Sequence, residues 1–551
     1  MSWIPWPDKL DYTKQAVEVP GTKQPGQTAH YRNGLWGLMQ HSPDSFTTLP
    51  EVFDIGFAKS SKQPFLGHRP MVSSPGAAPV HANHYMWQTY EEVDRRRRAI
   101  GSALHRLFES GRLGDREGMD TVGIWSRNRP DWVIVDLALH AYKKVGVSLY
   151  DTLGKDSVGE YILNHASISI LFLSSDHIPS ILKASKRLPL LKAIVSLDSL
   201  QDDPGFVLKA WAEDAGIILF ELSELEKDGN AALVEPVPVT KDDVACVCYT
   251  SGTTSTPKGV ILTHGNMAAV TRTNMYGNSF PGGKGRMLSY LPLAHIYERI
   301  CQYFVVVSGG CIGFSTNDPL KLLADLQLFK PNFFPSVPRV LNRVYQSAMM
   351  VAQVPGARGR LFREAVRRKL EVLRTTGENG WGIWDVLVFR KIQAVLGGNV
   401  AMITCGSAPI APDVMNFLRI ALSCDVIEGY GMTENCGTCL RVWPKDPQSS
   451  GSVGPPQPCN EIKLVDVPAM GYTAEDKPNP RGEICVRGIN CFREYLKDEK
   501  NTRETMDGEG WLHSGDVGEM DACGRFKIID RVKMVTASEH YEARARRIRR
   551  A

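Results

Sequence analysis

The stretch Tyr249–Gly259, YTSGTTSTPKG, crowds hydroxyls, glycines and one lysine between two apolar runs, Val244–Tyr249 and Val260–Leu262. Gly252 and Gly259 admit backbone angles closed to other residues, so successive amide N–H groups can turn toward one point. Thr250, Ser251, Thr253, Thr254, Ser255 and Thr256 add hydroxyl donors, and Lys258 adds positive charge. A loop of that composition after an apolar strand suits a polyphosphate. It is not the P-loop spacing, which places glycine directly before the lysine and Ser or Thr directly after it; here Pro257 precedes and Gly259 follows.

Outward from the loop, β-rich apolar runs alternate with helical segments: Thr121–Trp125, Ile168–Leu173, Ala193–Leu197, Gly216–Phe220, Ala245–Tyr249 and Asn332–Ser336. Alternation of this kind predicts βαβ units, hence an α/β fold with parallel-rich sheets covered by helices. Tyr90–Phe108 reads as a helix with Val93, Ile100, Leu104 and Leu107 inward, and the run Arg95–Arg98 as its solvated face. From Gly451 short strands with Gly and Pro turns take over, including Glu461–Val465 and Gly482–Arg487. The expected organisation is an extended segment over 1–85 that wraps the body, α/β subdomains over 86–450, a smaller β-rich subdomain over 451–530, and a hinge remnant with a basic tail over 531–551.

A chain of 551 residues exceeds what one core usually supports, while 43% apolar and 23% charged residues are ordinary for a globular protein. The net charge of +4 is too small to argue for nucleic acid. Twelve scattered cysteines read as buried free thiols in a reducing compartment, the lone Cys436-x-x-Cys439 included. The start, MSWIPWPDKLDYTK, lacks the basic and apolar regions of a secretory peptide, and no run reaches the 18 or so apolar residues that span a bilayer. An intracellular location is expected: cytoplasmic, or peripheral on endoplasmic reticulum, peroxisome or lipid droplet.

Four segments in order carry a family resemblance. The loop at 249–259, GSAP at Gly406–Pro409, EGYGMTE at Glu428–Glu434 and GWLHSGDVGEMDACGRFKIIDR at Gly510–Arg531 resemble the phosphate, adenine, catalytic and ribose-hinge segments of the adenylate-forming (AMP-binding) superfamily. VGIWSRNRPDWVIVDLALHAYKKVGVSLYDTLG (Val122–Gly154), LSYLPLAHIYER (Leu288–Arg299) and PNFFPSVPRVLNRVY (Pro331–Tyr345) are similar to eukaryotic long-chain fatty acid CoA ligases. The resemblance implies activation of a fatty acid by MgATP to acyl-AMP and then thioester formation with CoA. It also implies that a C-terminal domain of the family is missing beyond Lys533. Alternatives left open are an acyl-AMP ligase that loads an acyl carrier protein, and a nucleotide- or acyl-binding protein with little turnover.

The same resemblance distributes roles. An anionic carboxylate meeting an anionic phosphate needs positive charge and in-line positioning, which Lys258 supplies together with Mg²⁺ on Glu434, a carboxylate being the ligand a hard dication prefers. Thr433 would donate to the α-phosphate. Tyr430, between Gly429 and Gly431, offers an aromatic face to adenine, with Gly406, Ser407, Ala408, Pro409 and Glu428 around it; a plain core tyrosine is the alternative. Asp516 would accept from the ribose hydroxyls, and Arg531 would fork onto ribose or phosphate oxygens or else form a structural salt bridge. His295 and Arg339 are assigned to the acyl side, with a satisfied core histidine equally open for His295.

Overall fold

The computed structural model describes residues 3–532 apart from 40–44, 74–78, 115–117, 151–155, 251–255 and 381. Three large sheets organise the described residues, beside a two-stranded one of Met71–Val72 and Val80–His81. In the first, seven strands lie in the spatial order Ile218–Glu221, Ala193–Ser196, Ile170–Leu173, Thr121–Trp125, Val145–Leu149, Val244–Thr250 and Lys258–Thr263. All neighbours are parallel except the last two, which form an antiparallel hairpin. Three central strands are buried at every position and Thr121–Trp125 at all but Trp125, as a sheet covered by helices on both faces requires.

The second sheet has eight strands: Leu440–Arg441, Asp425–Tyr430, Met402–Cys405, Phe333–Ser336, Arg286–Ser289, Cys311–Phe314, Pro64–His68 and Met86–Thr89. Only its two outer pairs are antiparallel. The third is wholly antiparallel, with strands Ala16–Glu18, Tyr31–Asn33, Asn460–Val465, Arg481–Gly488, Leu512–Met520 and Phe526–Arg531. The α/β class with a smaller β-rich part is thus the architecture found.

Residues 1–85 are more than an extended wrap. Thr48 opens the helix Leu49–Ser60 through a capping box with Glu51, and that helix buries Leu49, Val52 and Phe53. It packs on the helices Pro130–Ala141, His264–Asn274 and Ile296–Val307. Two strands from this segment complete the β-rich sheet, and Pro64–His68 joins the eight-stranded one. Polar, Pro- and Gly-rich composition hid these elements because their apolar residues are spread thinly between turns.

The helix at residue 90 runs Tyr90–Glu109 behind a Thr89–Glu92 capping box. Its basic run is not a uniformly solvated face, which corrects the sequence expectation. Arg97 is buried over the Phe53 ring and pairs with Asp94, while Arg96 bridges Asp131 and Glu226. Among these four arginines, Arg95 is the exposed one. All twelve cysteines are free, nine of them buried. No helix among the described residues is long and apolar enough to cross a membrane.

One buried ionic cluster ties the two α/β sheets together. Arg299, on Ile296–Val307, donates to Asp136 of Pro130–Ala141 at 2.6 Å, and the Tyr303 hydroxyl takes the other carboxylate oxygen at 2.8 Å. The Asp136 carboxyl is held below its ordinary value: burial pushes it up, but Arg299 and its hydrogen bonds prevail.

Candidate active site

In parallel sheets the carboxyl ends of the strands face the same way, and ligands bind in the crevice outside them. The eight-stranded sheet delivers its expected site segments to that edge. Glu428–Tyr430 closes the strand Asp425–Tyr430, and Gly406–Pro409 follows the neighbouring strand Met402–Cys405, with Cys405 paired to Glu428. Arg339 sits just beyond Phe333–Ser336, in the first turn of the helix Pro338–Gln353. His295 follows Arg286–Ser289 and caps the helix Ile296–Val307.

The corresponding edge of the seven-stranded sheet is stitched to this one by Asn128. Its amide donates to Ser289 Oγ at 2.8 Å and to the Leu291 carbonyl at 2.6 Å, while its side-chain oxygen accepts from the Leu293 amide at 3.0 Å. A crevice between two strand-end edges results.

The hydroxyl-rich loop bridges Thr250 and Lys258, which stand opposite each other in the hairpin register. Ser251, Gly252, Thr253, Thr254 and Ser255 lie outside the described residues. The glycine after the lysine has a definite reason: a Cβ on Gly259 would lie 2.9 Å from Val247 Cγ1 and 3.1 Å from the Tyr249 ring.

Lys258 and Glu434 are 176 positions apart in the chain, and Tyr495 joins them. Its hydroxyl donates to Glu434 Oε1 at 2.5 Å, and the Lys258 ammonium lies 5.1 Å from its ring centroid. Lys258 Nζ also donates to Asn501 Oδ1. The segment around Tyr495 is fixed against the hairpin, because Leu496 N donates to the Gly259 carbonyl at 2.7 Å and Ile261 N to that of Glu494 at 3.1 Å. Burial and the Glu434 carboxylate push the Tyr495 phenol far above its ordinary range, so it stays a donor at any working pH. Glu434 itself is buried in the single turn Thr433–Asn435, and its carbonyl accepts from Phe492 N at 2.6 Å.

A second junction ties the eight-stranded sheet to the β-rich one. The Tyr430 hydroxyl donates to Asp516 Oδ2 at 2.7 Å, and Arg531 Nε contacts Asp516 Oδ1 at 2.9 Å from the facing strand. Arg531 therefore makes the salt bridge that its sequence reading left open. Each carboxylate oxygen of Asp516 retains a second lone pair, which leaves room for a diol. Gly431 is obligatory here: a Cβ would fall 2.6 Å from the Gly437 carbonyl oxygen.

Glu428 acts as a brace. Its Oε1 accepts from Ile410 N at 3.2 Å, which holds the turn Gly406–Pro409, and burial pushes its carboxyl up to about 7. Ser407, Ala408 and Pro409 are exposed, with Ser407 in the left-handed region at φ 69°. His295 is exposed as a cap, its Nδ1 accepting from Tyr297 N at 3.2 Å, so it is not the core histidine that the sequence left open. Arg339 is exposed as well. Thr433 is half-buried beside Glu434.

The arrangement gathers a cation, a buried carboxylate, a half-buried hydroxyl and a Tyr–Asp pair where three sheets meet. Tyr495, Asn501 and Asn128 were missed by sequence reasoning. The mark of the first is an aromatic pair, Phe492 and Tyr495, amid the charges Arg493, Glu494, Lys497 and Asp498.

Comparisons with known proteins bear on the family and the fold. Long chain acyl-CoA synthetase 7, peroxisomal, of Arabidopsis thaliana is 41% identical over 503 residues, 90% of this chain and 69% of the relative. Human long-chain-fatty-acid–CoA ligase 6 is 40% identical over 508 residues, again 90% and 69%. Among solved structures, the adenylation domain of a carboxylate reductase from Mycobacterium chelonae superposes with a TM-score of 0.72 at 23% identity, covering 90% of this chain and 72% of that one. A long-chain-fatty-acid–CoA ligase from Archaeoglobus fulgidus gives 0.62 at 21%, covering 90% and 86%. Residues 67–496 match the AMP-binding enzyme family, and the chain belongs to it.

Proposed function

We propose that this chain is an ATP-dependent, AMP-forming long-chain fatty acid–CoA ligase. The observation that carries the reading is the convergence of Lys258 and Glu434 on Tyr495, in a chain about 40% identical to long-chain acyl-CoA synthetases. In the first step a fatty-acid carboxylate oxygen bonds to the α-phosphorus of ATP, and the bond to the bridging β-phosphate oxygen breaks, so pyrophosphate leaves. In the second, a CoA sulfur bonds to the acyl carbon, AMP leaves with the electron pair, and the thiol proton passes to solvent.

Each side chain has a role in that sequence. Lys258 offsets the negative charge that gathers on the phosphates, where a preorganised cation is worth more than in water. Thr433 donates to the α-phosphate. Tyr430 flanks adenine beside the turn Gly406–Pro409, and Asp516 takes the ribose diol while Arg531 and the Tyr430 hydroxyl each hold one of its other lone pairs. The donor set fits magnesium: Glu434 offers a hard carboxylate oxygen whose partner oxygen is already oriented by Tyr495. Bound there, the ion would neutralise phosphate charge and hold the pyrophosphate leaving group. His295 and Arg339, beyond neighbouring strand ends, face the acyl substrate. The reading extends to an intracellular location that includes the peroxisome, the description that the Arabidopsis relative carries.

Exchange of labelled pyrophosphate into ATP, dependent on a long-chain fatty acid, tests the first step. CoA added in a second run tests the acceptor, with a carrier-protein thiol as the rival. No exchange from a folded chain with any fatty acid would overturn the proposal.

A further inference from the structure

Between the strands Phe333–Ser336 and Met402–Cys405 the chain inserts two long helices, Pro338–Gln353 and Ala357–Thr376, and a π-helical turn, Asp385–Phe389, that runs into the helix Arg390–Val395. Residues 338–395 hold eleven Lys and Arg against four Asp and Glu, a net +7 in a chain whose total is +4. The remainder of the molecule is therefore net acidic, and this insert, together with the basic tail 531–551, carries the net positive charge of the chain.

The same insert holds a cluster of aliphatic side chains in water. Ile383 is 68% exposed, Val386 59% and Leu387 60%, spaced so that they leave one side of the turn together. Arg390 and Lys391 follow one turn later and are exposed. On the neighbouring helix Leu361, Arg368 and Val372 recur at spacings of seven and four, and all three are exposed. The Arg368 guanidinium lies 5.9 Å from the Trp384 ring, which makes the two apolar groups parts of one surface rimmed by arginine and lysine.

The outward aim of the turn is enforced from below. Asp385 is fully buried and accepts from Lys369 Nζ at 2.9 Å, Gln393 Nε2 at 3.1 Å and the Gly382 amide at 2.8 Å, with the Ser423 hydroxyl as a further donor. Phe389 is buried beside it, against Phe362 at 6.0 Å. With 385 and 389 anchored inward, 383, 386 and 387 are driven outward, and an ion pair so well satisfied does not let the turn roll over. Single exposed aliphatics need no explanation, but a rigid cluster of them set in a basic field does.

We infer that this face docks onto an anionic lipid bilayer, with Ile383, Val386 and Leu387 entering the headgroup–acyl boundary and Arg368, Arg390 and Lys391 lying against lipid phosphates and carboxylates. The charge decides between occupants: a second copy docked through the same face would set two basic surfaces against each other, whereas a negatively charged membrane surface complements it. The inference goes beyond the proposed ligase reaction and its test needs no substrate.

Flotation of the full chain with vesicles measures it. Binding is expected to phosphatidylcholine vesicles containing about a third phosphatidylserine, and to weaken at least about tenfold with pure phosphatidylcholine or at high salt. The variant Ile383→Ser/Val386→Ser/Leu387→Ser is expected to lose binding by about tenfold or more, and Arg390→Glu/Lys391→Glu by a similar factor. Phe206→Ser/Val207→Ser, at exposed apolar residues on the distant helix Asp203–Asp214, is expected to leave binding unchanged. Thermal melts of each variant verify folding. Failure of the parent to bind anionic vesicles would overturn the inference. Equal binding by the folded triple or charge-reversed variant would do the same, as would a parent dimer that the triple variant splits while vesicle binding stays unaltered.

Discussion

Tyr495→Phe isolates one atom of the site. The phenol oxygen goes, and with it the 2.5 Å hydrogen bond to Glu434 Oε1, while the ring stays under Lys258 and against Phe492, whose centroid is 4.8 Å away. A hydrogen bond to a charged acceptor is worth about 1.5–3 kcal/mol, or roughly 10- to 150-fold in an equilibrium constant. Loss of a group that orients a metal ligand costs about 10- to 100-fold in metal affinity, so the two arguments meet. Pyrophosphate exchange titrated with magnesium is therefore expected to need at least about tenfold more of the ion in the variant, with much of the rate restored at saturation because the carboxylate remains. Glu434→Gln is expected to resist rescue at any magnesium concentration. A Tyr495→Phe enzyme with the parent's rate and magnesium dependence would refute the view that Tyr495 orients a metal ligand.

The other expectations address charge, nucleoside and stability. Lys258→Ala should slow exchange by on the order of 2–4 kcal/mol in transition-state stabilisation, measured as kcat/KM for ATP, with the melting temperature nearly unchanged. Asp516→Ala should weaken ATP more than its dideoxyribose analogue in equilibrium binding; equal losses would remove Asp516 from the sugar. Arg299→Met leaves the Asp136 carboxylate buried without its cation, an expected loss of about 3–5 kcal/mol in denaturant unfolding, largely regained when Asp136→Asn is added. Glu298 is fully buried, and burial lifts its carboxyl from an ordinary 4.5 to about 8. Because the folded value is the higher one, its effect on stability is unfavourable: stability falls as pH rises from about 4.5 to about 8 and is level beyond, by on the order of 3–5 kcal/mol. Glu298→Gln should therefore melt higher than the parent at pH about 8.5, with the difference fading near pH about 5. A constant difference across that range would show that the carboxyl does not titrate there.

What could be read in the sequence follows from where the information is local. Thr121–Trp125 was read to the residue, and Ala245–Tyr249 and Gly482–Arg487 to within one at each end, because a strand buried on both faces or paired on both edges writes its own apolar run. The helix Leu49–Ser60 was missed although Thr48 and Glu51 spell a capping box, since two residues of signal are easily lost in a Pro- and Gly-rich stretch. Contacts between distant segments have no such local mark. Tyr430 and Asp516 were each singled out for a ligand, yet nothing in either motif says that their side chains meet, which depends on how the β-rich sheet is set against the strand Asp425–Tyr430. The same holds for Tyr495. It stands beside Lys258 only because residues 494–496 pair with the hairpin strand Lys258–Thr263, and it reaches Glu434 only because that strand and the turn Thr433–Asn435 come together. Motifs thus mark the groups that meet the ligand, whereas the groups that hold them in place are set by tertiary packing, and it is at Tyr495 that substitutions chosen from motifs alone would never look.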